Sequence, residues 1–505
     1  MTDPFGALRP PTDEEIDSLG DRLHLDLTEA EVEAYRDLVA ESLDAYATVR
    51  DIGQPPSPST DVRERDPGQR VRSGDPHNAW ITKCHVVGDE EGPLDGWDVA
   101  VKDNIAVGGV EMTCGSQVME GYVPARDATV VSRLLDAGAD VVGKTNMDDF
   151  AFTGTGKSSA FGATLNPHDP ERLPGGSSSG SAVAVAEGEV DMALGGDQGG
   201  SIRLPASWTG IVGHKPTHGL VPYTGAIGIE NTIDHCGPMT RSVEAAAESL
   251  TVLAGKDPDD PRQPDTVPTE DYAADLSGDP SDLSIAVVEE GFGRPESESV
   301  VDETVRTTLD ALADAGATVE SVSVDLHASA GDIFTVALAE AFAAAVSGEG
   351  LGHNWRGRYD TQWVDAFGRA RRAQGGDFPP SVKLMLLLGS YTGEQYHSKY
   401  YAEAMNLRAE LAAAYEDVLA EYDLLAMPTT PMRAHEHDPD EDIFEWIDGA
   451  WANLGNTSAF NMSGHPSLSV PVEAADELPI GLMLTGSHFD DATVLDAGYA
   501  VERHR

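Results

Sequence analysis

The sequence predicts an α/β fold, with strands layered against helices. Two stretches carry that expectation. In the first, a short apolar strand over 97–101 ends at Lys102. A helix over 128–137 then stops at Gly138, and a buried strand follows over 139–143. In the second, a strand over 283–288, a helix over 300–315 and a strand over 318–324 repeat the alternation. A helix over 400–419 and a strand over 424–427 then run into Pro428-Thr429-Thr430-Pro431.

From the start of the chain, the first 50 residues read as helix. Thr12 with Glu15, and Thr28 with Glu31, are capping boxes, each a hydroxyl residue with a glutamate three positions on. Beyond the second box, Val32, Tyr35, Val39, Leu43, Tyr46 and Val49 recur at helical steps and form one apolar stripe. The stripe can pack on its own domain or form a homodimer interface. A proline- and charge-rich linker is expected over 54–69, so 1–75 reads as a helical extension with its linker and 76–505 as the main domain. Residues 257–282, rich in Asp and Pro, read as loop.

Composition narrows the setting. No run of the length and apolarity of a membrane span is read, and the first residues lack the basic and apolar regions of a signal peptide. Cys84, Cys114 and Cys236 have no C-x-x-C spacing, which fits a reducing, cytoplasmic compartment and excludes a cysteine zinc cage. The net charge is −54. Such a surface repels nucleic acid and, at low salt, itself. At molar salt the Debye length falls to roughly 3 Å and the repulsion is screened. The simplest setting is the cytosol of a halophile.

Two glycine-serine clusters dominate the chemistry. Residues 175–181 (GGSSSGS) and 199–201 (GGS) flank an alanine-valine run. Glycine beside serine lets backbone approach a substrate and leaves N–H groups free to meet a developing negative charge. Flexible linkers are the competing reading, disfavoured because the joining segment is apolar.

Three other motifs mislead. Gly138 to Thr145 matches G-x-x-x-x-G-K-[ST], but the helix comes before the loop and the strand after it, the reverse of a phosphate-binding loop. Residues 176–180 fit G-x-S-x-G with Ser178 as nucleophile, and His488 with Asp490 could complete a triad. However, 166–174 cannot form the buried strand that such an elbow requires. His435-Glu436-His437-Asp438 reads as a solvated loop cluster rather than a metal site.

Without a histidine base, Ser201 needs another activator, and a buried neutral lysine can serve. Among the few lysines, Lys102 is best placed, since it ends an apolar strand before Asp103-Asn104. A surface lysine at a strand end is the competing reading of that residue.

These residues sit in a longer series: VAVKDNIAV (99–107), TNMDDFAFTGTG (145–156), the two clusters, GIVGHKPTHGLVPYTG (210–225), DLLAMPTTP (423–431), FNMSGHPSLSVP (460–471) and GLMLTGSHFDDATVL (481–495). From about Pro93 onward the chain resembles the amidase signature family, serine hydrolases with a Ser–cis-Ser–Lys triad. The resemblance implies a mixed central sheet covered by helices. It also implies Lys102 as base, Ser177 as bridging serine on a cis peptide and Ser201 as nucleophile. The N–H groups of Gln198, Gly199, Gly200 and Ser201 would form the oxyanion hole. The sequence departs from the usual pattern at Ser179, where glycine is usual, and at Gln198, where Thr or Ile is common. The GGDQGGSIR form and the helical extension look like the amidases that accompany nitrile hydratase, in which Phe152 and Ile233 match substrate-pocket positions.

What the resemblance implies is a hydrolase of small-molecule amides that needs no metal or other cofactor and no nucleic-acid or membrane partner. The second reading is the amidase component of a tRNA-dependent amidotransferase. The third is a binding protein that has lost catalysis.

Overall fold

The structure, a computed structural model, describes residues 8–53, 63–274, 276–353, 356–472 and 478–504. The chain divides into two compact units, Met1–Val62 and Arg63–Arg505.

In the first unit α1 (Asp13–Arg22) and α2 (Glu29–Ile52) both open on the expected capping boxes, at Thr12 with Glu15 and Thr28 with Glu31. Arg36 on α2 holds Asp13 on α1 at 2.8 Å. Of the apolar stripe on α2, Val32 is buried, whereas Tyr35, Val39, Tyr46 and Val49 are exposed.

The second unit is built on one twelve-stranded sheet. In chain order its strands are β1 (Arg65–Arg70), β2 (Trp80–Val86), β3 (Asp98–Lys102), β4 (Asp140–Thr145), β5 (Met192–Asp197), β6 (Val212–Lys215), β7 (His235–Thr240), β8 (Ser284–Val288), β9 (Thr318–Val322), β10 (Leu424–Pro428), β11 (Ser467–Val472) and β12 (Ile480–Thr485). Across the sheet the order is β1-β2-β4-β3-β5-β7-β6-β11-β12-β10-β8-β9. Strand β3 runs parallel to β4 and β5, and β8 runs parallel to β9 and β10; the other pairs are antiparallel. The sheet is therefore mixed, as the resemblance implied.

Helices α3 (Thr129–Asp136), α4 (Ser179–Ala186), α5 (Arg203–Thr209), α6 (Val243–Leu253) and α7 (Ser299–Asp314) alternate with the strands. Then come α8 (Ala330–Ser347), α9 (Thr361–Gln374), α10 (Pro380–Tyr396), α11 (Lys399–Leu419), α12 (Ile443–Trp451), α13 (Ser458–Ser463) and α14 (Asp491–His504). The segment Asp325–Ser347, which contains α8, is long and apolar enough to cross a membrane. Here α8 buries Ile333, Phe334, Leu338 and Phe342 and packs on α10, α11 and α13 as a core helix.

The predicted strands and helices lie within one or two residues of the observed ones, but the linker reading needs correction. Residues 54–62 lie outside the described residues, whereas Arg65–Arg70 is an edge strand paired antiparallel with β2. The division of the chain accordingly falls after Val62, ahead of residue 75. Pro67 and Gly68 fit a strand here because the register shifts between Asp66 and Gln69, and a bulge on an edge strand tolerates a residue without an N–H.

The helix-then-strand order at Gly138 is α3 followed by β4, so the G-x-x-x-x-G-K-[ST] match is not a phosphate loop.

Candidate active site

Strand β3 is an apolar run whose last residue, Lys102, is wholly buried beside the first glycine-serine cluster. Lys102 Nζ donates to Ser177 Oγ at 2.8 Å and to the Gly196 carbonyl on β5 at 3.1 Å. Burial pushes the amine down to about 7, against the opposing pull of Asp148 and Asp197. A lysine held there is neutral for part of the time near pH 7 and can take up a proton from the hydroxyl it touches.

The Gly176–Ser177 peptide is cis. Asp148 shapes this loop: its N–H donates to the Ser177 carbonyl at 3.2 Å, while its carboxylate accepts from Gly156 N–H at 2.8 Å and from Ser158 N–H at 2.9 Å. Only glycine fits at 176, because a Cβ there would lie 2.1 Å from Asp148 Oδ2.

The second cluster follows β5 directly. Ser178 N–H donates to the Ser201 carbonyl at 3.2 Å, which sets the two clusters side by side. Ser201 is 5% exposed. Asp197 organises the loop before it: Oδ1 accepts from Gly200 N–H at 2.7 Å and Oδ2 from Ile202 N–H at 3.1 Å. Arg203 grips the same carboxylate through Nε at 3.0 Å and Nη2 at 3.1 Å. Nη2 also donates to Asn461 Oδ1 at 2.7 Å. Burial alone would push the Asp197 carboxyl up, but the Arg203 guanidinium beside it prevails and holds it at about 2.

The oxyanion-hole expectation changes at one residue. The Gly200 N–H is committed to Asp197, so it shapes the turn instead of facing a substrate. Among the described residues the N–H groups of Gln198, Gly199 and Ser201 carry no hydrogen bond. The Gln198 side chain donates to Tyr223 Oη at 2.9 Å, and Tyr223 lines a cavity of about 370 Å³ with Glu230, Arg262 and Arg358.

Phe152 and Ile233, which the resemblance implied at the substrate pocket, are both buried. The Phe152 ring lies 4.4 Å from that of Phe342 and 6.3 Å from that of Trp451. Two residues on, the Gly154 carbonyl accepts from Gly176 N–H at 2.9 Å, which places this segment against the first cluster. The Ile233 carbonyl accepts from Asn461 Nδ2 at 3.4 Å, and Asn461 also bonds the Asp197 carbonyl at 3.0 Å.

The rival elbow is not assembled. Ser178 Oγ is buried and donates to the Gly196 carbonyl at 3.1 Å. His488 bonds Glu416 and Ser463, and Asp490 bonds Thr493. His435, expected in solvent, packs at a tilt against Trp208 with ring centroids 4.9 Å apart.

Sequence reasoning missed the supports: Asp148, Asp197, Arg203, Thr457 and Asn461. Thr457 Oγ1 donates to the Gly199 carbonyl at 2.6 Å. A signal was present for Asp197 and Arg203, which flank the second cluster in GGDQGGSIR as a charge pair amid apolar residues.

Residues 77–495 match the family model described as Amidase. An "Enantioselective amidase" of Rhodococcus rhodochrous is 41% identical over 503 residues, covering 97% of this chain and 95% of the relative. A glutamyl-tRNA(Gln) amidotransferase subunit of Halobacterium salinarum is 39% identical over 429 residues, covering 84% of this chain and 99% of the relative. Among solved structures, that of the corresponding glutamyl-tRNA(Gln) amidotransferase subunit from Thermotoga maritima is similar with a TM-score of 0.70 and 32% identity, covering 85% of this chain and 88% of the other.

Proposed function

The chain belongs to the amidase signature family, enzymes that hydrolyse amide C–N bonds, and from that premise we propose that it works as a stand-alone amidase. It would convert a small carboxylic amide to the acid and ammonia through a seryl acyl-enzyme. In this reading Ser201 Oγ attacks the amide carbonyl while its proton passes to Ser177, whose own proton moves to neutral Lys102. The N–H groups of Gln198, Gly199 and Ser201 stabilise the oxyanion. The relay then reverses: Lys102 returns its proton through Ser177 to the departing nitrogen, the C–N bond breaks, and ammonia leaves. Water, deprotonated by the same relay, hydrolyses the ester and restores Ser201. The buried Lys102–Ser177 contact at 2.8 Å supports this chemistry. Phe152 and Ile233 belong to the acyl pocket in the same reading.

One observation carries the choice of a stand-alone enzyme. The alignment with the Rhodococcus amidase takes in 97% of this chain, whereas that with the Halobacterium protein takes in 84%. The second reading, a component of an amidotransferase, is favoured by the 99% coverage of the Halobacterium protein, whose identity is nearly the same. A high-salt, reducing cytosol fits the net charge of −54 and the three free, buried cysteines, and the exposed stripe on α2 supports a homodimer.

The test is to purify the chain in molar KCl and assay ammonia release from aliphatic, aromatic and peptide amides. Turnover by the chain alone, lost in Ser201→Ala, supports the proposal. Activity confined to glutamine and dependent on co-purifying partner chains would replace it with the second reading.

A further inference from the structure

We propose that Glu416, His465 and His488 form a binding site for one divalent transition-metal ion of the zinc type, built from residues that the amide chemistry does not use. The three come from separate segments: Glu416 from α11, His465 from the turn between α13 and β11, and His488 from the loop between β12 and α14. Glu416 Oε1 lies 3.0 Å from His465 Nε2 and 2.5 Å from His488 Nδ1. All three donor atoms fall within 4.8 Å of one another. Zinc with bonds of ~2.0–2.1 Å in a tetrahedron sets its donors about 3.3 Å apart, so the two glutamate–histidine separations need to open by less than about 1 Å.

Proton placement points to a cation. His488 Nε2 is 2.9 Å from the Ser463 carbonyl oxygen, which can only accept, so this nitrogen carries the hydrogen. In the neutral ring Nδ1 then holds a lone pair, aimed at a carboxylate oxygen that can also only accept. Two acceptors at that separation repel. An ion bound to both turns the repulsion into coordination. The remaining alternative is a second proton, which makes His488 an imidazolium paired with Glu416.

The surroundings match what metal-bound histidines need. The outer nitrogens of both rings are anchored on one residue, His488 on the Ser463 carbonyl and His465 Nδ1 on Ser463 Oγ at 2.9 Å. The bond to the carbonyl fixes the tautomer of His488, and the bond to the hydroxyl holds the ring direction of His465, as outer contacts do around a metal. The ring centroids are 4.0 Å apart. The His465 side chain is fully covered, while those of Glu416 and His488 are 43% and 35% exposed. That solvent side gives an ion its entry and leaves room for water to complete the shell. Two imidazoles with one carboxylate favour zinc, nickel or cobalt over magnesium or calcium. The ion would tie α11 to the turn after α13, the helix that carries Asn461 to Asp197.

The test uses the full chain, stripped with EDTA and held in molar KCl with excess Mg²⁺ so that surface carboxylates do not compete. Zinc chloride is titrated by calorimetry into the parent, His488→Ala and Glu416→Gln, with circular dichroism to show that each variant folds. Both substitutions lie on the solvent side of the cluster. The parent is expected to take up one equivalent and to melt at a higher temperature with zinc; each variant is expected to bind at least tenfold more weakly and to lose the melting shift. Either no saturable equivalent in the parent or an equivalent that both variants retain overturns the site. The first result would leave the Glu416–His488 contact as an ion pair.

Discussion

Lys102 Nζ sits 2.8 Å from Ser177 Oγ, and neither residue exposes any surface to water. Because desolvation brings the amine down to about 7, the base form of Lys102 depends on pH within the range in which proteins work. Activity is expected to fall about tenfold per pH unit once the pH drops below that value, since a protonated lysine cannot accept from Ser177. A pH–rate profile in molar KCl measures this; a flat acid limb down to pH 5 would remove Lys102 as the base.

The same shift has a sign for stability. The unfolded amine titrates near ~10.4, so a folded value of about 7 is a depression. The resulting penalty is absent above the unfolded value, grows as pH falls between the two values, and is constant below the folded one. Lys102→Met is therefore expected to abolish activity while leaving stability at pH 7 equal or higher, with any gain vanishing near pH 10.5. Urea titrations at the two pH values read the difference. Strong destabilisation at pH 7 would mark Lys102 as a charged structural partner.

Asp197→Asn keeps the size of the side chain but strips the charge that faces buried Arg203. Leaving that guanidinium uncompensated costs about 3–5 kcal/mol. Denaturation in molar KCl should show a loss of this order, and turnover should fall with it because Gly200 and Ile202 lose their anchor. A variant with parent-like stability would mean that Asn461 and Thr457 suffice to hold Arg203.

Gly176→Ala and Gly331→Ala form a contrasting pair. The first places a Cβ 2.1 Å from Asp148 Oδ2, whereas the second, on α8, meets nothing within 4 Å. Loss of soluble, active protein is expected for Gly176→Ala. Gly331→Ala should be neutral or stabilising by up to about 1 kcal/mol, from helix propensity. Thermal melts and ammonia release compare the two.

The apolar residues on α2 set the last expectation. Tyr46 is 64% exposed and Val39 40% exposed within one stripe. The parent is expected to sediment as a dimer in molar KCl, and a Val39→Glu, Tyr46→Glu variant as a monomer. Equal masses would show that the stripe holds no second copy.

Much of the site could be read from local pattern. The apolar run into Lys102 marked a strand, and glycines beside Ser177 and Ser201 marked close backbone approach. What escaped depends on distant partners. Asn461 reaches Asp197 across 264 residues, a contact that no window of sequence contains. The resemblance implied Gly200 as an oxyanion donor, and only the folded turn shows its N–H held by Asp197. Strand β1 was hidden by Pro67 and Gly68, which signal a turn unless a bulge on a sheet edge receives them. The alanine-rich segment after Ser178 read only as an apolar joiner, yet it forms α4, whose burial on every side leaves no periodicity to detect.

The strand order bears on how the protein is made. Strand β11 lies between β6 and β12, and β12 joins it to β10. A ribosome delivers β1 to β10 first, so until Ser467–Thr485 emerges the nascent chain holds the sheet in two separate parts, with bare edges at β6 and β10. Both edges are buried in the finished molecule and β10 is apolar along its length, and unpaired edges recruit other strands. Thr457 and Asn461, which brace the loop before Ser201, also arrive late. Synthesis stopped short of these residues yields a chain that is at once inactive and prone to aggregate, and activity switches on only when the final strands close the sheet.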